Sequence, residues 1–126
     1  MGEFLKKNAL KFLEIADYLL SKEDFNFAAF NYEQSAQLFL KYLLWKKVGD
    51  YPKTHSLLKL IDECAKIIEQ KDKIETLENL KETETIFLLE EAYLATRYFD
   101  VQFNRTPVEK MKKLVYQIKE IVESLT

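Results

Sequence analysis

The sequence predicts an all-α fold, an up-and-down bundle of four to five helices forming one domain over residues 1–126. Three observations predict it. Apolar residues recur at offsets of three and four along most of the chain, which is the period of an amphipathic helix. Glycine and proline number two each, whereas all-β chains need them at their many turns. Hydrophobic residues make up 48% of the chain and charged residues 32%. At this length that is enough to fill a core and solvate its outside without disulfides.

Leu5, Ala9, Phe12, Leu13, Ala16, Leu19 and Leu20 form the apolar stripe of a first helix. Ser21 to Asp24 has the spacing of a capping-box variant, with Ser21 opening a second helix over about Glu23 to Lys47. That segment is apolar around most of its circumference, as expected of a central helix covered on several sides. Its polar residues Asn31, Gln34, Gln37 and Lys41 narrow to one strip, either the solvent edge or part of a partner surface. Gly49 suits the position just past a helix end, and Pro52 holds Tyr51 extended.

Thr54 is placed to cap a third helix that turns Leu57, Leu60, Ile61, Cys64, Ala65 and Ile68 inward. The weakly patterned stretch from Gln70 to Glu82 predicts a short helix over Lys73 to Leu80, with Asp72 and Glu75 at capping-box spacing. Ile86 to Ala95 mark a fourth long helix ending near Tyr98. Thr106 as cap, Pro107 at the first helical position and Glu109 reaching back open the last helix. Its seam of Val108, Met111, Val115, Ile118, Val122 and Leu125 is spaced for contact within an antiparallel bundle.

Composition removes several functional classes. A formal net charge of −2 gives no global field for nucleic acid, so such binding needs a local patch or a dimer groove. No run of 18 apolar residues is present to span a membrane. The amino-terminal segment lacks the pattern of a secretory signal, and Lys6 stands where a myristoylation motif wants Ser or Thr. A cytoplasmic protein is expected. The single histidine, His55, and the single cysteine, Cys64, do not make the three or four ligands of a zinc site. One histidine also excludes the paired Glu-x-x-His ligands of di-iron bundles. No P-loop or Rossmann glycine pattern occurs. No metal site, cofactor or complete catalytic set is expected. Cys64 reads as core, and Glu78, Lys81 and Glu82 as a solvated face.

Two positions carry binding chemistry. Arg97 is one of only two arginines among 19 basic residues. Its planar fork suits a phosphate or a carboxylate, the alternative being an ion pair to Asp100 or to a glutamate on another helix. His55 lies just after Lys53 at a helix start. It is either a structural histidine bonding a loop carbonyl or a phosphate or partner contact aided by Lys53 and free backbone amides.

Three segments, in this order, resemble the HEPN domain family (higher eukaryotes and prokaryotes nucleotide-binding). Ala28 to Lys41, AAFNYEQSAQLFLK, is similar to the family's second-helix pattern. Tyr51 to Leu57, YPKTHSL, is similar to its Thr-His loop before the next helix. Glu91 to Asp100, EAYLATRYFD, is similar to its Tyr-x-x-x-Arg-Tyr-Pro-Asp pattern, with Phe99 in the proline's place. The resemblance spans the whole chain. It implies a helical bundle that forms homodimers and pairs with a minimal nucleotidyltransferase, often as a toxin–antitoxin couple. Many members are metal-independent ribonucleases that use Arg, four to six residues, then His. Here Gln102, Phe103 and Asn104 stand where that histidine would fall, so the general acid/base is missing from its place.

The expected function is therefore a non-catalytic HEPN-type interaction module that dimerises and partners a minimal nucleotidyltransferase, with nucleotide or RNA phosphate as a further ligand. Its site would be Arg97, Tyr98, Asp100, Lys53, His55 and Tyr93, with Tyr93 and Tyr98 available to stack on a base. Two alternatives stay open. One is a divergent endoribonuclease toxin in which Arg97 pairs with His55, or with Asn104 across a dimer. The other is a purely structural helical interaction domain.

Overall fold

The computed structural model describes residues 1–126 as six helices: α1 (Glu3–Ser21), α2 (Phe25–Val48), α3 (Leu57–Ile67), α4 (Lys71–Lys81), α5 (Glu84–Tyr98) and α6 (Arg105–Leu125). The chain is all-helical, as the periodicity predicts. The weakly patterned stretch folds as α4 and packs beside α3. None of the helices is long and apolar enough to cross a membrane.

The central position expected of α2 is the position it takes. It packs against α1, α3, α5 and α6, and Tyr32, Ala36, Phe39, Leu40 and Leu43 on it are fully buried. Its contact with α1 is the most extensive in the fold. Small residues let the two backbones approach, and buried Ser35 donates its hydroxyl to the Ala9 carbonyl at 2.8 Å. The amino terminus closes over the same hub. A Cβ at Gly2 would stand 2.1 Å from the Trp45 ring, so only glycine fits beneath that indole. The seam predicted on α6 is buried in full, and Leu114 and Ile121 widen it into a broad stripe. Asp17 ties three helices, accepting from the Tyr32 and Tyr116 hydroxyls at 2.6 Å each, with Lys112 at 3.6 Å.

Several helix starts differ from those the sequence predicts. Ser21 is the last residue of α1 and donates to the Tyr18 carbonyl. Glu23 then turns in the left-handed region (φ 62°), so α2 begins only after Asp24. Ser56, not Thr54, caps α3 by accepting from the Lys59 amide, a contact worth about 1 kcal/mol. Thr54 instead accepts from the Ser56 amide and shapes the turn before it. Gln70, not Asp72, precedes α4. Asn104 precedes α6, which starts ahead of Thr106 and Pro107. Gly49 does close α2 in the left-handed conformation, at φ 79°, where a residue without Cβ carries no penalty.

The α5–α6 connection is pinned from α2. Asn26 donates to the Val101 carbonyl at 2.5 Å and accepts from the Phe103 amide at 2.8 Å, and Phe103 itself is buried.

Candidate functional site

The side chains with binding chemistry converge where α2, the α2–α3 loop and the second half of α5 meet. Tyr93 and Arg97 sit one turn apart on α5, the spacing at which helical side chains touch. The Arg97 guanidinium lies 4.5 Å from the Tyr93 ring centre and 5.4 Å from those of Phe30 and Tyr98. It donates once, to the Tyr93 carbonyl at 2.7 Å. These contacts, each worth about 0.5–2 kcal/mol, hold the fork by its face. The ion pair to Asp100 or to a glutamate does not form, and the other N–H groups of the fork stay free of protein partners.

His55 approaches the same ring from the loop. Its imidazole stacks on Tyr93 with centres 4.4 Å apart and planes 8° from parallel. The loop is fixed from α5, because Glu90 accepts from the Ser56 hydroxyl at 3.2 Å and the Leu58 amide at 3.0 Å. Glu90 thereby anchors the start of α3. Tyr93 thus carries a histidine and an arginine on one ring. No hydrogen bond joins the two, and Asn104 lies at the start of α6.

Lys53, His55 and Tyr93 line a shallow depression of about 290 Å³ together with Gln37, Lys41 and Tyr51. Lys41 sits 5.9 Å from the Tyr51 ring centre. Partial burial lowers its ammonium pKa, and the nearby Glu33 charge opposes that shift. A larger groove of about 520 Å³ opens beside Leu20 and Tyr116. Its cations are mostly neutralised within the chain, Arg105 by Glu23 and Glu109, and Lys112 by Asp17. The smaller depression is the one whose cations lack carboxylate partners, and it is the better anion site for that reason.

The polar strip of α2, read as a solvent edge or a partner surface, is solvated only in part, at half-buried Gln34 and Lys41. Asn31 and Gln37 are buried, and beside them lies Glu33, which is fully buried. Glu33 accepts from Gln34 Nε2 at 2.8 Å and from Gln37 Nε2. Burial pushes its carboxyl up to about 7. The two amide donors and the Arg97 charge pull it down, and the Glu90 charge adds to the rise.

Of the predicted site residues, Lys53, His55, Tyr93 and Arg97 come together and Tyr98 extends the group along α5. Tyr98 is 69% exposed. Asp100 falls in the following turn, exposed and without a bond to Arg97. Glu33 and Phe30 join the site without having been singled out, and Gln37 and Lys41 join it from the polar strip read as a solvent edge or a partner surface. The available signal was Glu33 itself, a charged residue in a helix that offers almost no solvent face.

The fold and this cluster define a helical module with a basic, aromatic cleft beside its central helix. The chain matches the HEPN domain model over residues 3–125; it belongs to the HEPN domain family. Among solved structures it is similar to the crystal structure of TT1696 from Thermus thermophilus, with a TM-score of 0.77 and 23% identity. That alignment covers 99% of this chain and 98% of the other, and it speaks for the fold. No curated protein matches the chain.

Proposed function

We propose that this chain is a non-catalytic HEPN interaction module that binds the phosphate and base of a nucleotide or of single-stranded RNA in the Tyr93 cleft. The carrying observation is the shared ring: His55 at 4.4 Å and Arg97 at 4.5 Å from the centre of Tyr93, with Lys41 and Lys53 alongside. The exposed rings of His55 and Tyr98 are available to stack on a base, and an arginine fork with free N–H groups takes a phosphate. The segment after Arg97 supports the absence of catalysis. Phe103 is buried there with its amide held by Asn26, so neither it nor its neighbour Gln102 replaces the missing histidine.

Homodimerisation has a supporting surface. Phe87, Leu94 and Tyr98 follow one face of α5, and each is more than two-fifths exposed. An apolar stripe of this kind commonly marks a protein contact. Pairing with a minimal nucleotidyltransferase, in a toxin–antitoxin relation, follows from the family alone.

A second reading, a divergent metal-independent ribonuclease, is favoured by one observation: the only histidine shares a ring with Arg97. A single experiment separates the two. Wild type and Arg97→Ala are compared for binding of a labelled single-stranded RNA and for its cleavage in EDTA. Binding is expected to weaken roughly tenfold to a hundredfold in the variant, the effect of one charge-assisted phosphate contact, with no cleavage by either protein. Cleavage by wild type that disappears in the variant would make the chain an enzyme. Equal binding by both proteins would remove Arg97 from the site.

A further inference from the structure

The floor of the same depression holds a polar group with no partner in the chain. Gln37 is 6% exposed and lines the depression beside Tyr51, His55 and Tyr93. Its side-chain nitrogen donates to Glu33, whose other oxygen is taken by Gln34. With both Glu33 oxygens accepting from amide nitrogens, the nitrogen end of the Gln37 amide turns towards the carboxyl. The nitrogen faces inward and the carbonyl oxygen faces away. Nothing in the chain donates to that oxygen. Every fully sealed side-chain polar atom in the protein does have a partner, so this oxygen is not sealed. The depression is the opening onto which Gln37 faces.

We infer that Gln37 reads the base in this site, its carbonyl oxygen accepting from the exocyclic amino group of a planar nucleobase such as adenine, with Glu33 as the residue that positions it. This rests on the nucleotide-binding reading above and deepens it. An amino group projects from its ring and reaches a recessed acceptor. A ring N–H lies between two carbonyl oxygens in uracil and beside one in hypoxanthine, and these would be brought against the Gln37 oxygen. Tyr51 and the exposed outer face of His55 supply the stacking surface, with Tyr93 backing the imidazole, and Lys53 and Arg97 supply the phosphate contacts. A site built around one buried acceptor discriminates mainly against ligands that leave it unpaired.

The test is calorimetric binding of AMP and of purine riboside 5′-monophosphate, which differ only by the amino group. Wild type is expected to prefer AMP by about tenfold or more, the worth of one such hydrogen bond. Gln37→Leu should bring the ratio near one. Because that change leaves Glu33 short of a donor, Glu33→Gln serves as the second variant. It keeps the shape but lets the Gln37 amide turn, so the AMP preference should shrink in a protein that is folded by circular dichroism. Equal binding of the two ligands by wild type overturns the role of Gln37 and leaves the nucleotide site standing. Binding of neither ligand overturns both.

Discussion

Replacing Phe39 with alanine is expected to destabilise the protein by about 3–5 kcal/mol. Phe39 is fully buried and lies midway along α2, the helix against which α1, α3, α5 and α6 all pack. Truncation removes the ring's burial and leaves a cavity that four neighbouring helices cannot close together. A domain of this size holds about 5–15 kcal/mol in all, so one substitution would remove a large part of it. Urea unfolding measures the effect as a lower midpoint at constant slope. A loss below about 1 kcal/mol would mean that α2 is not the hub of the core.

The second large effect depends on pH. Glu33 is fully buried and its carboxyl is raised from 4.5 to about 7, first by burial. A carboxyl raised on folding binds its proton more tightly in the native state than in the unfolded one. Its contribution therefore falls as pH rises from about 4.5 to about 7 and is constant above that window. The span corresponds to about 3 kcal/mol. Glu33→Gln removes the titration, so the variant should gain about that much relative to wild type between pH 4 and pH 8. Other groups cancel in the comparison. Denaturant midpoints of both proteins at both pH values decide it, and parallel pH profiles would show that Glu33 is not titrating in a buried state. The gain at pH 8 alone will be smaller, since glutamine offers one acceptor where the carboxylate met two amide donors.

What was legible in the sequence follows from how local each signal is. The 3.6 period located every helix but α4, which only capping-box spacing suggested, because burial of one face is written into consecutive residues. Gly49 was readable because few other residues tolerate its φ. Helix starts were less readable. Ser21, Thr54, Asp72 and Thr106 all have capping side chains, but which of several small polar residues caps depends on where the previous helix stops and how the loop packs. In the site, His55, Tyr93 and Arg97 stood out by residue type and by their resemblance to HEPN segments, and folding gathers them. Asp100 stood out equally and lies apart. Glu33 was missed, and Gln37 was read only as part of a polar strip, for a physical reason. Polar residues on a helix are ordinarily assigned to water, yet α2 is covered on nearly every side, so its polar strip meets itself and the floor of a cleft.

Cys64 gives the protein a built-in clock. Its thiol is fully buried on α3, 3.5 Å from the Leu40 carbonyl of α2, and burial, with the Glu63 charge, pushes it up to about 12. At pH 8 it is both un-ionised and out of reach of an alkylating reagent. Modification must wait until α3 lifts from α2, so where reclosing outpaces labelling its rate reports the free energy of that separation. Labelling should be negligible in native buffer and should accelerate with denaturant. Prompt labelling in native buffer would reveal a fold that breathes at this seam. Because the chain has no other thiol, each labelling event reads the same joint between the central helix and the helix that follows the His55 loop.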